Sequence, residues 1–152
     1  MKRFISGLIG VAIIFAASAQ VFAHCQIPCG IFDDQMRFEM MREDVDTIAK
    51  SMREIKKLSG KQTKNYNQIV RWVNNKDDHA EKIEDAASYY FLAQRVKPVA
   101  KNSKDYERYT QQVILLHKII IQSMKAKQTT SQKHVKNLRG LIQKFEHSYF
   151  NK

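Results

Sequence analysis

The sequence predicts an all-α protein, an antiparallel, up-and-down four-helix bundle, and three observations carry that expectation. Apolar residues recur at spacings of three and four along four separate stretches, the period of a helix with one buried face. Hydrophobic residues make up 43% of the chain and charged residues 27%, with five glycines and two prolines, a balance that suits packed helices better than disorder or a dense β fold. A length of 152 residues is enough for one domain with a substantial core and requires no second one.

Ahead of the periodic stretches, residues 1–23 have the layout of a cleavable export signal. Lys2 and Arg3 lead into an apolar run from Phe4 to Ala19, and Val21-Phe22-Ala23 offers signal peptidase small residues at its first and third places. An uncleaved membrane anchor is the competing reading, because the run approaches the length of a short spanning helix. Cleavage after Ala23 gives an exported protein, periplasmic or secreted, that begins at His24 and keeps no membrane segment.

The bundle is expected over residues 33–152. In its first helix Phe38, Met41, Val45, Ile48, Met52 and Ile55 form the seam, Asp33 or Asp34 is available to cap the start, and Gly60 behind Lys56 and Lys57 marks the stop. A longer second stretch, about 64–96, turns Tyr66, Ile69, Val70, Val73, Ala80, Ile83, Ala87, Tyr90 and Phe91 inward, with the polar run NNKDDH at 74–79 as the place for a bend. Pro98, in the linker VKPVAKNSKD, separates it from a third helix at 105–127. There Tyr106, Tyr109, Val113, Leu116, Ile120 and Met124 share a face, which Ile114, Leu115, Ile119 and Ile121 widen into a surface broad enough for subunit contacts as well as a core. The fourth helix, about 131–149, buries Val135, Leu138, Ile142, Phe145 and Tyr149, with Ser131 as cap candidate. Short links make successive helices antiparallel neighbours.

The formal charge of +11 falls by two, to +9, once Lys2 and Arg3 are removed. Such a balance suits nucleic acid, an anionic membrane surface or a small anion. The basic residues are scattered, however, and no compact basic block interleaved with aromatics is present, which argues against a nucleic-acid interface. There is no glycine-rich phosphate loop and no Ser/His/Asp set. His79, His117, His134 and His147 have no metal-ligand spacing with one another or with acidic pairs, and read as ordinary surface or core histidines.

The chemistry is concentrated in HCQIPCG, residues 24–30, where both cysteines of the chain stand within six positions of a histidine. With His24 as the first residue, a free α-amine, an imidazole, the Cys25 amide nitrogen and two thiols lie within one short turn. Amine and adjacent peptide nitrogen form a small chelate ring and the Cys25 side chain closes another, so a planar set of two nitrogens and two sulfurs is natural. That geometry favours nickel or copper over tetrahedral zinc. Pro28 and Gly30 allow the chain to bend so that Cys29 returns towards such a metal. On spacing alone a Cys25–Cys29 disulfide stands beside the metal site, since paired cysteines in an exported protein are usually oxidised.

HCQIPCGIF, residues 24–32, resembles the nickel-hook motif HCxxPCGxY of the nickel superoxide dismutases, matching five of its six fixed positions at His24, Cys25, Pro28, Cys29 and Gly30. The resemblance implies that proteolysis exposes His24, whose amine joins the Cys25 amide nitrogen and the Cys25 and Cys29 thiolates around one nickel ion per subunit. The His24 imidazole is then an axial ligand of the oxidised state. It also implies disproportionation of superoxide to dioxygen and hydrogen peroxide, with nickel alternating between its divalent and trivalent states, and assembly of bundles into a homohexamer. Thiolate and amidate donors stabilise the higher oxidation state.

Phe32 departs from the motif, since the family has a tyrosine there. Tyr89 or Tyr90 of the SYYF segment, or ordered water, is available to replace the missing hydroxyl, and by resemblance to a family S-x-Y-F segment Tyr90 is the better candidate. Glu39 matches a carboxylate that orients the axial imidazole, one residue nearer the hook than in the family, and Arg71 or Lys76 is a candidate basic partner for it. The alternative to the enzyme is an exported, non-enzymatic helical protein whose cysteines form a disulfide or a simple metal-binding tail.

Overall fold

The computed structural model describes residues 34–151, and every regular element among them is a helix. The export signal, the hook with Phe32, and Asp33 lie outside the described residues. Helix α1 (Asp34–Ser59) is followed by α2 (Tyr66–Asp85), which runs directly into a π-helical segment (Ala86–Arg95). Helices α3 (Tyr106–Lys127) and α4 (Gln132–Phe150) complete the chain. Each helix packs on the next in order and α4 returns against α1, the closed ring of an up-and-down bundle. No helix among the described residues is long and apolar enough to cross a membrane.

Helix α1 buries the seam expected of it, from Phe38 to Ile55, against α2 and α4, with Phe38 on Phe91 of the π-helical segment. Asp34 in its first turn and Lys56 and Lys57 in its last complement the helix dipole. Asn65 caps α2, its side-chain oxygen accepting the Gln68 N–H at 3.1 Å. Helix α4 buries Val135, Leu138, Ile142 and Phe145, as its period predicts. Ser131 holds the cap position of α4, but no side-chain hydrogen bond is made there.

Three expectations are corrected. Tyr66 and Val70 are 68% and 55% exposed, because the first turns of α2 reach beyond the packed part of the bundle. A periodic face is buried only where a neighbour covers it. The second correction concerns NNKDDH, which lies within uninterrupted α-helix; the hydrogen-bond pattern changes later, at Ala86. Tertiary partners absorb its polarity instead. Asn75 donates to Ser51 Oγ at 2.9 Å, and Lys76, 2% exposed, donates to the Ala126 carbonyl at 3.1 Å and to that of Lys127. These are carbonyls at the end of α3 with no partner inside their own helix, so a buried ammonium is well used there.

The third correction is a rotation of α3. Its most buried positions are Gln112, Leu115, Leu116, Ile119, Gln122, Ser123 and Ala126, and Met124 faces out together with Ile114. Tyr109, Val113 and Ile120 pack at the margin of the core. The run VILLHKIII is apolar nearly all round, so period cannot choose the inward face. Hydrogen bonds choose it: Gln112 donates to the Ser148 carbonyl at 2.8 Å, and Gln122 reaches the His134 ring at 2.5 Å.

Candidate functional site

The start of α1, the end of the π-helical segment and the end of α4 meet at one end of the bundle, and a cluster of rings fills the space between them. Phe38 lies 4.7 Å from Phe91, 5.5 Å from Phe145 and 5.8 Å from Tyr149, centroid to centroid. Phe91 meets Phe145 edge-on at 4.9 Å. This apolar floor supports a polar cluster built on Asp34, the first residue of α1.

The Asp34 carboxylate accepts hydrogen bonds from the hydroxyls of Tyr90 and, at 2.8 Å, Tyr149, while Arg95 Nε stands 3.0 Å away as an ion pair. Arg95 also donates to the Tyr90 hydroxyl at 3.0 Å. The guanidinium groups of Arg37 and Arg95 lie 4.9 and 5.0 Å from the Tyr90 ring centre. Helical register explains the Tyr90–Arg95 contact. Five residues along an α-helix turn about 140° round the axis, which would send the two side chains apart. In the π-helix, whose hydrogen bonds join residues five apart, they fall on one side. The Val96 N–H bonding to the Phe91 carbonyl at 2.8 Å keeps that spacing at the end of the segment.

Burial alone would raise the Asp34 pKa, but the Tyr90 and Tyr149 hydrogen bonds and Arg95 outweigh it and hold the carboxyl below its usual 3.8. Burial and the same carboxylate push the Tyr149 hydroxyl well above the usual 10.0, and Tyr90 moves in the same direction. The sign for stability follows from which state holds the proton. Above about pH 10 the unfolded chain releases these tyrosine protons while the folded chain keeps them, so folding weakens as pH rises through that range. At acid pH the depressed Asp34 contributes stability that is lost as pH falls below 3.8. Urea titrations at pH 9, 10 and 11 should therefore show a steeper loss of stability in the wild type than in Tyr149→Phe. Equal slopes would mean that the Tyr149 proton is not held by the fold.

A groove of about 470 Å³ opens between α1 and α2 beside this cluster, lined in part by Arg37, Met40, Asp44, His79, Lys82, Tyr89 and Tyr90. His79 Nδ1 is 2.6 Å from Asp44 Oδ1. Burial raises the Asp44 pKa against the opposing effects of His79 and Lys82. The pair spans 35 positions of sequence, so no local spacing announces it.

The residues expected around the hook fall in different places. Tyr90 is buried beside the start of α1, and its one proton is already given to Asp34. Tyr89 is 52% exposed on the groove wall and, among the described residues, makes no side-chain hydrogen bond. Glu39 is exposed on α1. Arg71 is exposed near the start of α2, towards the opposite end of the protomer, so the structure does not bring it to Asp34 or Glu39. Lys76 is committed to the end of α3 and to Asp77 at 2.8 Å. His24, Cys25, Cys29 and Phe32 lie outside the described residues. Chain length nevertheless bounds the distance: Cys29 precedes Asp34 by five residues, about 18 Å at full extension.

Sequence reasoning missed Asp34 as more than a cap, and missed Tyr149 and Arg95 altogether as polar partners. Their only sequence signals were an acid at a helix start and a tyrosine in a core stripe. Among the described residues no group of three or more His, Cys, Asp or Glu side chains is placed to hold a metal ion. The donors expected in residues 24–29, two thiols, an imidazole and a peptide nitrogen, with a terminal amine only if the chain is cut after Ala23, are a mixture whose softness would suit nickel.

A family model described as nickel-containing superoxide dismutase matches residues 19–152, which includes HCQIPCG and all four helices. No curated protein and no solved structure matches the chain.

Proposed function

The chain belongs to the nickel-containing superoxide dismutase family, and within that family we propose that residues 24–29 hold the nickel, with the amine exposed at His24 among its ligands. The reaction takes two superoxide anions and two protons to one dioxygen and one hydrogen peroxide. Nickel supplies the alternation between divalent and trivalent states. The observation that carries the placement is the HCxxPCG spacing directly behind a signal-like segment, inside the stretch that the family model matches.

On this reading His24 contributes its amine and its imidazole, Cys25 its amide nitrogen and thiolate, and Cys29 its thiolate. Residues 1–23 are an export signal, 24–32 the hook and 33–152 the bundle, and the mature protein is periplasmic or secreted. Subunits assemble as homohexamers, for which the exposed Ile114 and Met124 of α3 supply apolar surface. The anion substrate meets a basic protein, and Arg37 and Arg95 stand by the start of α1, which supports attraction that weakens as salt rises. With phenylalanine at position 32, Tyr89 is the better supplied with a usable hydroxyl, because Tyr90 has to break its Asp34 bond to donate elsewhere.

Family membership disfavours the other reading, an exported helical protein with a Cys25–Cys29 disulfide or a simple metal-binding tail. Intact mass and N-terminal sequencing of the exported protein, with nickel analysis of the same sample, test the placement. The expected result is a chain starting at His24 with one nickel per subunit and free of a disulfide. A mature chain that keeps residues ahead of His24, yet binds nickel and consumes superoxide, would overturn the amine ligand.

A further inference from the structure

We infer that the Asp34 cluster fixes the point from which the nickel-binding segment leaves the bundle, making Asp34, Tyr149 and Arg95 positioning residues for the nickel site. The inference rests on the placement of that site at residues 24–29.

The first turn of a helix has backbone N–H groups without intrahelical partners, and helix ends fray. An aspartate there ordinarily caps the amides of its own turn. Asp34 does something different, because its carboxylate is bonded across the bundle to Tyr90 and Arg95 of the π-helical segment and to Tyr149 of α4. Two hydroxyl donors and an ion-paired guanidinium, from two other elements, surround that carboxylate, and hydrogen bonds to an ionised acceptor are shorter and stronger than neutral ones. A ten-residue π-helical segment is a costly structure, and one result of it here is to bring Arg95 under the Tyr90 hydroxyl. The start of α1 is therefore pinned more firmly than a surface helix requires.

What lies just ahead of that pinned point gives it a use. The His24 amine, the Cys25 amide and the Cys25 thiolate would chelate nickel by themselves, since adjacent atoms of one residue pair supply them. Cys29 would join them from four residues further along the chain, five residues before Asp34, so its reach is set by residues 30–33 and by where Asp34 is held. A fixed anchor raises the local concentration of the second thiolate and lowers the entropy lost when it binds. A loose anchor would leave nickel on the N-terminal chelate with the fourth position open to other donors.

The test uses the full mature chain with a native His24 terminus, and reads nickel affinity by chelator competition together with the sulfur-to-nickel charge-transfer spectrum. Asp34→Ala is expected to weaken nickel binding on the order of tenfold, at the lower end of what outer partners of metal ligands contribute, and to alter the spectrum. Asp34→Asn, which keeps oxygen for the tyrosine hydroxyls, should recover part of both. Tyr149→Phe should show a smaller change of the same kind and covers the case in which Asp34→Ala fails to fold. Gln122→Ala, which removes a hydrogen bond to His134 elsewhere in the bundle, serves as the stability control and should leave affinity and spectrum alone. Asp34→Ala and Tyr149→Phe proteins that bind nickel as tightly as wild type, with its spectrum, would overturn the inference, as would weakening that simply tracks melting temperature across all variants. A wild type that binds no nickel overturns the placement of the site and this inference together, a distinct outcome from normal binding in every variant.

Discussion

One residue added ahead of His24 is expected to abolish nickel-dependent superoxide consumption while leaving the helical content of the protein unchanged. The extension converts the terminal amine into a peptide nitrogen. An amine near its ordinary pKa of about 7.7–8.0 has a substantial neutral fraction at pH 7 and is ready to bind, whereas an amide must lose a far more tightly held proton. The chelate ring keeps its size but changes its donor, and the imidazole no longer belongs to the first residue. Helicity should not change, because the helices from Asp34 onwards share a core of their own side chains. Superoxide consumption, nickel content and far-ultraviolet circular dichroism on the same two preparations decide the matter. An extended protein with wild-type activity would remove the His24 amine from the ligand set.

The second large effect is expected from Phe38→Ala, at about 3–5 kcal/mol of lost stability, the range for deleting a large buried ring. Phe38 is fully buried and its ring lies within 6 Å of four others, those of Phe91, Phe145, Tyr149 and Phe150. Neighbouring side chains of this size and stiffness collapse poorly into a vacated space, which places the cost towards the upper part of that range. Because the same cluster carries Tyr149 and adjoins Tyr90, the damage should extend to Asp34 and its partners. Denaturant unfolding gives the energy, and hydrogen exchange at the first turn of α1 shows whether it loosens. A loss below 1 kcal/mol would mean that the cluster is not the stabilising centre that its geometry makes it.

The bundle was legible where one face of a helix differs sharply from the other. In α1 every expected seam position from Phe38 to Ile55 is buried, and in α4 the same holds from Val135 to Phe145. Legibility failed for two physical reasons. Tyr66 and Val70 keep the right period but extend past their neighbours, and period contains no information about helix overhang. In α3 the apolar surface runs nearly all round, so the inward face is settled by Gln112 and Gln122, whose partners lie on α4. The π-helical register of 86–95 has no counterpart in residue spacing at all.

The candidate site divides in the same way. The hook, which lies outside the described residues, could be proposed from sequence because its expected ligands are neighbours there, and chelation by adjacent atoms is a local property. The Asp34 cluster could not, because it joins positions 56 and 115 residues apart by single hydrogen bonds. Phe32 marks the boundary between these regimes: its departure from the motif is visible in sequence, and the residue itself lies outside the described residues.

The long separation of Asp34 from Tyr149 also bears on the order in which the molecule is assembled. Closing a flexible loop of 115 residues costs about 4 kcal/mol by the logarithmic chain-entropy relation, before any constant for the contact itself. The short connections at 60–65 and 128–131 both lie at the other end of the bundle, where little chain has to be drawn together. Helix pairs can zip from those turns early, and the end at which α1 begins closes last. On the proposed placement, a metal centre at residues 24–29 would be a late product of a finished scaffold rather than a seed for folding. A chain that has not yet closed its ring of helices would then offer nickel only a loose N-terminal chelate, so metal loading would report on completed folding.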